Sequence, residues 1–263
     1  MLKKRFIGVI TVKNGWAVQS FGYGRYLPLG KPECLVENLD RWGADEILVQ
    51  VIDRSVASLG PDFELLKKLA RLALSTPLIY GGGIRTVEEG VQVIQSGADR
   101  ITVDALLHDD LSEVIGLGSK LGAQAVIASM PMTMTMKSIR PEWLNYRSKA
   151  SAPIGEALTK VIEQGMVSEV LLTDWQHEGH PNGFDSALID LFPYKKVPLI
   201  IFGGVSSAEQ MKSLLARPNV AAVSVGNFLS YREHAIQQFK GALASAALRP
   251  STYSIEYSLL TNA

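Results

Sequence analysis

Two clusters of glycines, each directly after a short apolar run, are the sequence features that point most clearly to chemistry. One occupies residues 81–83 and the other residues 203–204. Glycine allows the backbone to approach an anion closely, and a helix that begins after such a loop offers free amide groups and the positive end of its dipole. A single cluster could merely form a turn, but two in matched positions favour a ligand with two phosphates. We therefore predict phosphate contacts at Gly82, Gly83, Gly179, Gly203, Gly204, Gly226 and Asn227.

Carboxylates that follow apolar runs are the candidates for acid–base chemistry. Asp174 follows the run 170–173 and would be the best-placed catalytic group if its side chain pointed towards the same ligand, with Asp104 and Asp53 as weaker candidates. His177 and His180 lie beside Asp174, but their spacing in a polar loop supplies no third firm metal ligand. We expect neither a metal nor a cofactor, and we expect these histidines to be solvated or to contact a substrate.

Eight short apolar runs, separated by longer amphipathic stretches, define the elements that would position these residues. The runs are rich in Val, Ile, Leu and Ala, as expected of parallel strands that are covered on both faces. They lie at residues 6–12, 47–52, 77–80, 100–103, 125–129, 170–173, 197–202 and 221–225. Between the second and third runs, residues 61–74 carry apolar side chains at three-residue steps, which indicates a helix. Eight strand–helix units predict an α/β protein, a (β/α)8 TIM barrel, whose functional face lies at the carboxyl ends of the strands.

The sequence also repeats itself at about half its length. Residues 77–84 match residues 198–205 at an offset of 121, and residues 46–49 match residues 169–172 at an offset of 123. Both matches also align a glycine or a charged residue, so they favour two half-barrels in tandem over a chance likeness of buried strands. We predict one barrel domain over residues 1–248, irregular loops at 22–32 and 130–153, and a C-terminal tail over 249–263.

The composition excludes several classes of protein. Lys plus Arg equals Asp plus Glu, at 26 each, so we expect neither a nucleic acid nor an anionic membrane as partner. Cys34 is the single cysteine, which rules out an internal disulfide and a cysteine-based metal cluster. The apolar stretch after Arg5 has only about seven residues, too few for the core of a signal peptide, and no run approaches the roughly 18 residues of a membrane span. We expect a cytoplasmic protein.

Several motifs, taken together, resemble one family. They are the opening Met1-Leu2-Lys3-Lys4-Arg5 and residues 12–15, 42–46, 81–84, 97–100 and 122–126. At this spacing they are similar to the cyclase subunit of imidazole glycerol phosphate synthase, the HisF type. The resemblance implies a barrel that takes ammonia from a separate HisH-like glutaminase subunit docked at its N-terminal face. It further implies that the ammonia adds to a bis-phosphorylated substrate and that an imidazole ring then closes.

Other positions depart from the pattern of that family. The resemblance places one catalytic Asp at the end of the first strand and one at the end of the fifth, where this sequence has Thr11 and Pro131. A basic residue expected after the first strand is Gln19, and an acidic residue expected at the end of the second strand is Val51. Threonine cannot shuttle protons near pH 7, and proline has neither a titratable group nor an N–H. We therefore expect no imidazole formation at a normal rate.

The amino-terminal end of the barrel keeps the charges that the resemblance implies. In the family, four charged residues ring this end and gate the entry of ammonia, and the matching positions here are Arg5, Glu46, Arg100 and Glu169. Each opens or directly precedes a predicted strand, so all four belong to the same end. The alternative is a static network of ion pairs that only stabilises the barrel. A ring of charges is costly to bury, and this sequence keeps it although it lacks the catalytic acids. We therefore favour the gate.

Three functions stay open on this basis. The first is a divergent synthase subunit of a glutamine amidotransferase that acts on a phosphorylated small molecule or a sugar nucleotide. The resemblance implies this function because HisF-like relatives of this kind occur beside surface-polysaccharide genes and serve in amino-sugar modification. The second is an authentic cyclase of histidine biosynthesis, against which Thr11 and Pro131 argue. The third is a non-catalytic scaffold that channels ammonia from its glutaminase and leaves the chemistry to another protein. We favour the first.

Overall fold

The structure is a computed structural model that describes residues 3–134, 140–231, 233–243 and 248–249. Its strands are β1 Arg5–Lys13, β2 Trp16–Phe21, β3 Arg25–Gly30, β4 Glu46–Val51, β5 Leu78–Gly81, β6 Arg100–Val103, β7 Val126–Thr133, β8 Glu142–Asn145, β9 Ala150–Ala152, β10 Glu169–Asp174, β11 Leu199–Phe202 and β12 Val220–Val225. Its α-helices are α1 Pro32–Arg41, α2 Phe63–Ala70, α3 Val87–Gln95, α4 Ala105–Asp109, α5 Leu111–Leu121, α6 Glu156–Glu163, α7 Ala187–Leu191, α8 Ala208–Leu215 and α9 Ala235–Ala242. Short 3-10 helices lie at Ala123–Ala125 and Asn227–Ser230.

Eight of the strands are parallel neighbours in one closed sheet. Their order is β1, β4, β5, β6, β7, β10, β11 and β12, and β12 pairs with β1 to close the barrel. An α-helix follows each of these strands before the next one begins. The predicted (β/α)8 barrel is therefore confirmed.

The two halves of the barrel repeat the same contacts. In the first half, Ile47 pairs with Leu78, and its N–H donates to the carbonyl of the residue before Leu78 at 2.9 Å. In the second half, Val170 pairs with Leu199, and its N–H donates to the carbonyl of the residue before Leu199 at 3.0 Å. These pairs are related by the offsets of 123 and 121 found in the sequence, so the half-barrel repeat is confirmed.

The helices begin at side chains that satisfy their first free amide groups. Asp62 accepts from the N–H of Leu65 at 3.0 Å at the start of α2, which ends at Ala70, earlier than the predicted residue 74. Thr86 and Ser207, which the glycine loops precede, cap α3 and α8 in the same way. Such caps fix where each helix starts relative to the mouth of the barrel.

Alternate side chains of the barrel strands fill the lumen. They form an apolar cluster of Ile7, Val9, Leu48, Ile79, Ile127, Leu171, Ile200, Phe202 and Ala222. A larger apolar cluster lies between the strands and the surrounding helices and includes Phe6, Val49 and Leu66. Among the described helices, none has the length and apolar content that a membrane span needs.

Two segments predicted as irregular loops form β-hairpins instead. Strand β3 pairs with β2 inside the predicted loop 22–32, and β7 runs on into the predicted loop 130–153, where it pairs with β8. The apolar pattern of a buried strand is absent there because β3 is largely exposed and contains Pro28. Residues 135–139 of the second loop and residues 250–263 of the predicted tail lie outside the described residues.

Candidate functional site

The four charged residues at the amino-terminal end of the barrel form a closed ring of ion pairs. Arg5 lies between Glu46, at 2.9 Å, and Glu169. Arg100 lies between the same two carboxylates, at 3.2 Å from Glu46 and 2.6 Å from Glu169. Each of the four side chains is at most 13% exposed. The structure thus brings together all four residues that the sequence analysis assigned to this end.

The charges of the ring are paired with one another. Burial alone would lower the pKa of Arg5, but Glu46 and Glu169 outweigh that effect, so the pKa is raised above its ordinary value. Arg100 has further partners outside the ring, since its guanidinium also donates to the carbonyl of Gln124 at 3.0 Å and to the Ser168 hydroxyl at 2.9 Å. The ring closes the lumen below the apolar cluster.

Polar side chains replace apolar ones at the other end of the lumen. Thr11 continues the inward positions of Ile7 and Val9 and pairs with Gln50, while Pro131 pairs with Thr173 on the far side. Thr11 and Pro131 occupy the positions that the resemblance assigns to catalytic acids. Neither can transfer a proton at neutral pH, so any acid–base chemistry at this mouth must use other groups.

Glu178 and Asp104 are two carboxyl groups that lie at this mouth. Glu178 is 2% exposed and accepts from the Ser20 hydroxyl at 2.9 Å and from the Tyr23 N–H at 3.4 Å. Asp104 directly follows β6, and although the residue is half-buried overall, its Oδ1 is enclosed and has no hydrogen-bond partner among the described residues.

Burial raises the pKa of both carboxyl groups to about 7. Hydrogen bonds from Ser20 and from backbone amides oppose this shift at Glu178, and the positive charge of Arg147 opposes it at Asp104. A carboxyl group with a pKa near 7 is present in both protonation states at neutral pH, so it can serve as acid or as base. The sequence analysis named Asp104 but missed Glu178, although Glu178 immediately precedes the predicted phosphate residue Gly179.

Tyrosines from the two hairpins cover the mouth. Tyr23 is buried and packs edge-on against Tyr146, with ring centres 5.4 Å apart. The Tyr26 hydroxyl donates to the carbonyl of Tyr23 at 2.6 Å and lies 3.1 Å from the Tyr146 hydroxyl. Burial raises the pKa of Tyr23, and Glu178 and Asp104 raise it further, so both carboxyl groups act on the same phenol. No sequence pattern indicated this cover, because it depends on hairpins that were predicted as loops.

The other two predicted carboxylates fasten loops around the mouth. Asp174 follows the inward-facing Thr173 and is 1% exposed. Its Oδ2 accepts from the N–H of Asp185 at 2.9 Å and lies 2.7 Å from His177 Nδ1, while burial raises its pKa. Asp53 accepts, at 2.9 Å, a hydrogen bond from the backbone of the turn after β1. Within the described residues, no three His, Cys, Asp or Glu side chains are grouped as metal ligands would be.

The predicted phosphate glycines allow neighbouring backbones to pack closely. A Cβ at Gly82 would collide with the carbonyl of Val51, and a Cβ at Gly203 would collide with the carbonyl of Asp174. The φ angles of these glycines are +129° and +90°, which other residues rarely adopt. Gly83 and Gly204 are crowded in the same way by the loops at residues 59–60 and 183–184. Tight packing therefore explains these four glycines without a ligand, and phosphate binding by them stays a prediction.

Gly179, Gly226 and Asn227 meet where the first hairpin joins the last strand. Both polar atoms of the Asn227 amide bond to the backbone of Ser20, at 3.1 and 2.7 Å, and a Cβ at Gly179 would collide with the Ser20 carbonyl. Gly226, with neither a positive φ nor a close neighbour, has the backbone most open to a ligand. The cavity that these residues share with Gly203 measures about 10 Å³, enough for roughly one water molecule. Gly226 and Asn227 also line a second cavity of about 230 Å³, together with Thr11 and Trp42.

Comparisons with known proteins agree with this architecture. The family described as histidine biosynthesis protein matches residues 5–235. A protein of Leptospira interrogans named imidazole glycerol phosphate synthase subunit HisF is 28% identical over 88% of this chain and 92% of its own length. A protein of Natranaerobius thermophilus named imidazole glycerol phosphate synthase subunit HisF is 26% identical over 93% of this chain and 97% of its own length. A Vibrio vulnificus protein named as subunit hisF2 of the same enzyme is 28% identical over 94% of this chain and 91% of its own length. The chain therefore belongs to the histidine biosynthesis protein family, as a divergent member of its HisF type.

Proposed function

We propose that this protein is the synthase subunit of a glutamine amidotransferase. In this proposal it receives ammonia from a separate HisH-like glutaminase at the amino-terminal face of the barrel and uses it at the opposite mouth. The substrate is a phosphorylated small molecule or a sugar nucleotide, modified in the synthesis of surface-polysaccharide amino sugars. The observation that carries the proposal is the closed ring of Arg5, Glu46, Arg100 and Glu169.

The lumen supports a path for ammonia between the two ends. Above the ring lies the apolar cluster, followed by the polar layer that includes Thr11 and Gln50. Neutral ammonia crosses an apolar layer at far lower cost than ammonium, because burying an unpaired charge is strongly unfavourable. A ring that opens only when the glutaminase docks would admit ammonia and otherwise keep ions out.

Asp104 and Glu178 are the groups that we assign to proton transfer at the mouth, with Asp174 and Asp53 as weaker candidates because they hold loops. When ammonia adds to a carbonyl carbon, an N–C bond forms and the π electron pair moves to the oxygen. One carboxylate takes a proton from the nitrogen, and the other carboxyl group gives a proton to the oxygen. The pair ends with exchanged protonation states and no net change in protons, which requires pKa values near the working pH.

A binding and transfer experiment tests the proposal. The purified protein is mixed with the HisH-like glutaminase of the same organism, and complex formation, glutamine hydrolysis and release of ¹⁵N-ammonia from amide-labelled glutamine are measured. We expect a stable complex, faster glutamine hydrolysis within it, and retention of the labelled ammonia when the mouth is occupied. If the protein forms no complex and leaves hydrolysis unchanged, the amidotransferase proposal is wrong.

The names of the relatives favour a second candidate, an authentic cyclase. It predicts formation of imidazole glycerol phosphate from the bis-phosphorylated precursor and ammonium chloride. We expect this turnover to be absent, since each lost acid–base group typically costs roughly 10²–10⁴-fold. A Thr11→Asp, Pro131→Asp double variant is the matched control, and efficient turnover by the unmodified chain would support the cyclase.

The third candidate, a scaffold without chemistry of its own, is favoured by the small volume, about 10 Å³, of the cavity beside Glu178. It predicts that Asp104→Asn and Glu178→Gln leave transfer of labelled nitrogen to the final product unchanged. Our proposal predicts that either change reduces transfer while the complex with the glutaminase still forms.

A further inference from the structure

Two lysines from different hairpins lie over the tyrosines that cover the mouth. The ammonium of Lys13, at the end of β1, is 3.8 Å from the centre of the Tyr26 ring. The ammonium of Lys149, in the turn between β8 and β9, is 3.6 Å from the centre of the Tyr146 ring. Because the two tyrosine hydroxyls are 3.1 Å apart, the four side chains form one continuous cluster, here called the rim cluster.

The lysines carry the free hydrogen-bond donors of the rim cluster. The Tyr26 hydroxyl donates to the carbonyl of Tyr23, and the Tyr146 hydroxyl can then donate to the Tyr26 oxygen, so both phenol protons are used. Within the described part of the chain, neither Lys13 nor Lys149 has a carboxylate within the 4.0 Å of an ion pair. Each ammonium keeps up to three N–H groups for another partner.

The two positive charges oppose each other. The pKa of Lys149 is lowered by burial and further by the charge of Lys13, while Asp104 below them opposes the shift. The nearby guanidinium of Arg147 is already paired with Asp109. Like charges held near each other cost free energy, and an anion placed between them would reduce that cost.

We propose that Lys13 and Lys149 bind a diphosphate group of the substrate. A diphosphate offers two adjacent anionic groups, one for each ammonium, and the tyrosines beneath hold the lysine chains in place by cation–π contact. This site lies at the rim and uses no glycine loop, so it adds to the phosphate contacts predicted deeper in the mouth. The inference rests on the proposed function only for the identity of the ligand as substrate, since binding itself needs no glutaminase.

Calorimetric titration of the full chain with pyrophosphate tests the rim site, with orthophosphate as the comparison. We expect pyrophosphate to bind several-fold more tightly than orthophosphate. Lys13→Gln and Lys149→Gln should each weaken pyrophosphate binding by about three- to five-fold, as expected for one partly exposed charge contact. Lys120→Gln, on the exposed last turn of α5, is the matched control and should change the affinity less than two-fold.

The lysines could instead only fasten the two hairpins together. In that case Lys13→Gln and Lys149→Gln would accelerate proteolysis of the hairpins and leave pyrophosphate affinity unchanged, which would overturn the proposal. Equal affinities for pyrophosphate and orthophosphate, or an equal loss in the Lys120 variant, would overturn it as well. Lys13→Arg and Lys149→Arg keep the charge and should retain most of the binding. Pyrophosphate binding together with failure to bind any glutaminase would refute the proposed function alone.

Discussion

Neutralising Glu46 is the perturbation that most directly examines the ring of ion pairs. Glu46 contacts Arg5 at 2.9 Å and Arg100 at 3.2 Å, and its side chain is only 8% exposed. Glu46→Gln keeps the shape and one acceptor oxygen but leaves two arginines to share Glu169. The ring then carries a net positive charge in a place that water reaches poorly.

The expected loss of stability follows from the burial of the ring and its ion pairs. Removing one partner of a buried ion pair typically costs about 3–5 kcal/mol, and the remaining amide acceptor recovers part of this, so we expect a loss of roughly 2–4 kcal/mol. For a chain of this size each kcal/mol lowers Tm by about 2–3 °C, which gives a fall of roughly 4–12 °C. Glu169→Gln should behave alike, because Glu169 also contacts both arginines.

Thermal unfolding of the variant and a coupled glutaminase assay separate the possible outcomes. Glu64→Gln removes an exposed ion pair with Lys67 at 2.8 Å and is the matched control, with no measurable change in Tm. A gate predicts that Glu46→Gln also changes the ratio of ammonia used to glutamine hydrolysed. An unchanged Tm would refute our interpretation of the ring, and a lower Tm with an unchanged ratio would identify a static network.

Three further variants test other parts of the structure by thermal or denaturant unfolding. The pKa of Asp104 rises from 3.8 in the unfolded chain to about 7 in the folded protein, so stability falls as pH rises through that window. Asp104→Asn should therefore stabilise the protein by about 2–4 kcal/mol at pH 8 and by less at pH 5. An equal effect at both pH values would contradict the burial of the carboxyl group. Gly203→Ala should destabilise the fold strongly, because a Cβ there meets the backbone of Asp174. Gly165 has a similar positive φ but open space around it, so Gly165→Ala should cost only about 1 kcal/mol. Equal losses of stability would show that crowding is unimportant. The buried ammonium of Lys240 lies 2.7 Å from Asp45, and Asp45→Ala removes this partner. The substitution should lower the free energy of unfolding by about 3–5 kcal/mol. A loss below about 1 kcal/mol would refute this prediction.

The barrel could be predicted from the sequence because its strands are buried on both faces. Continuous apolar runs such as residues 197–202 carry that signal, and β11 spans Leu199–Phe202 in the structure. The four residues of the ring were identified from the resemblance to the HisF family, and the barrel places them together because residues that open parallel strands share one end. Strands β3 and β9 carry no such signal because they are exposed, and the apolar pattern reports burial, not backbone conformation.

The mouth could be predicted only in part, because its contacts join residues that are distant in sequence. Glu178 meets Ser20 across 158 positions, and Tyr26 meets Tyr146 across 120. No local pattern encodes such pairs. The glycine clusters were visible, yet the sequence could not distinguish a glycine that approaches a phosphate from one that approaches a neighbouring carbonyl, since both require the absence of a side chain.

The two ends of the barrel differ in how far their buried polar groups are satisfied. At the amino-terminal end, both carboxylates of the ring meet two arginines, although Glu169 Oε2, 2.6 Å from Arg100, makes an ion pair without a hydrogen bond. At the mouth, Gln50 Oε1, Asp104 Oδ1 and Thr173 Oγ1 are buried without a protein partner among the described residues. Buried polar atoms without partners are rare in folded proteins because each costs free energy, and they cluster where a ligand or water supplies the missing bonds. The mouth therefore has several of the unsatisfied groups of a binding site, whereas the charges of the ring are paired with one another, as in a closed structure that must be opened by something outside it.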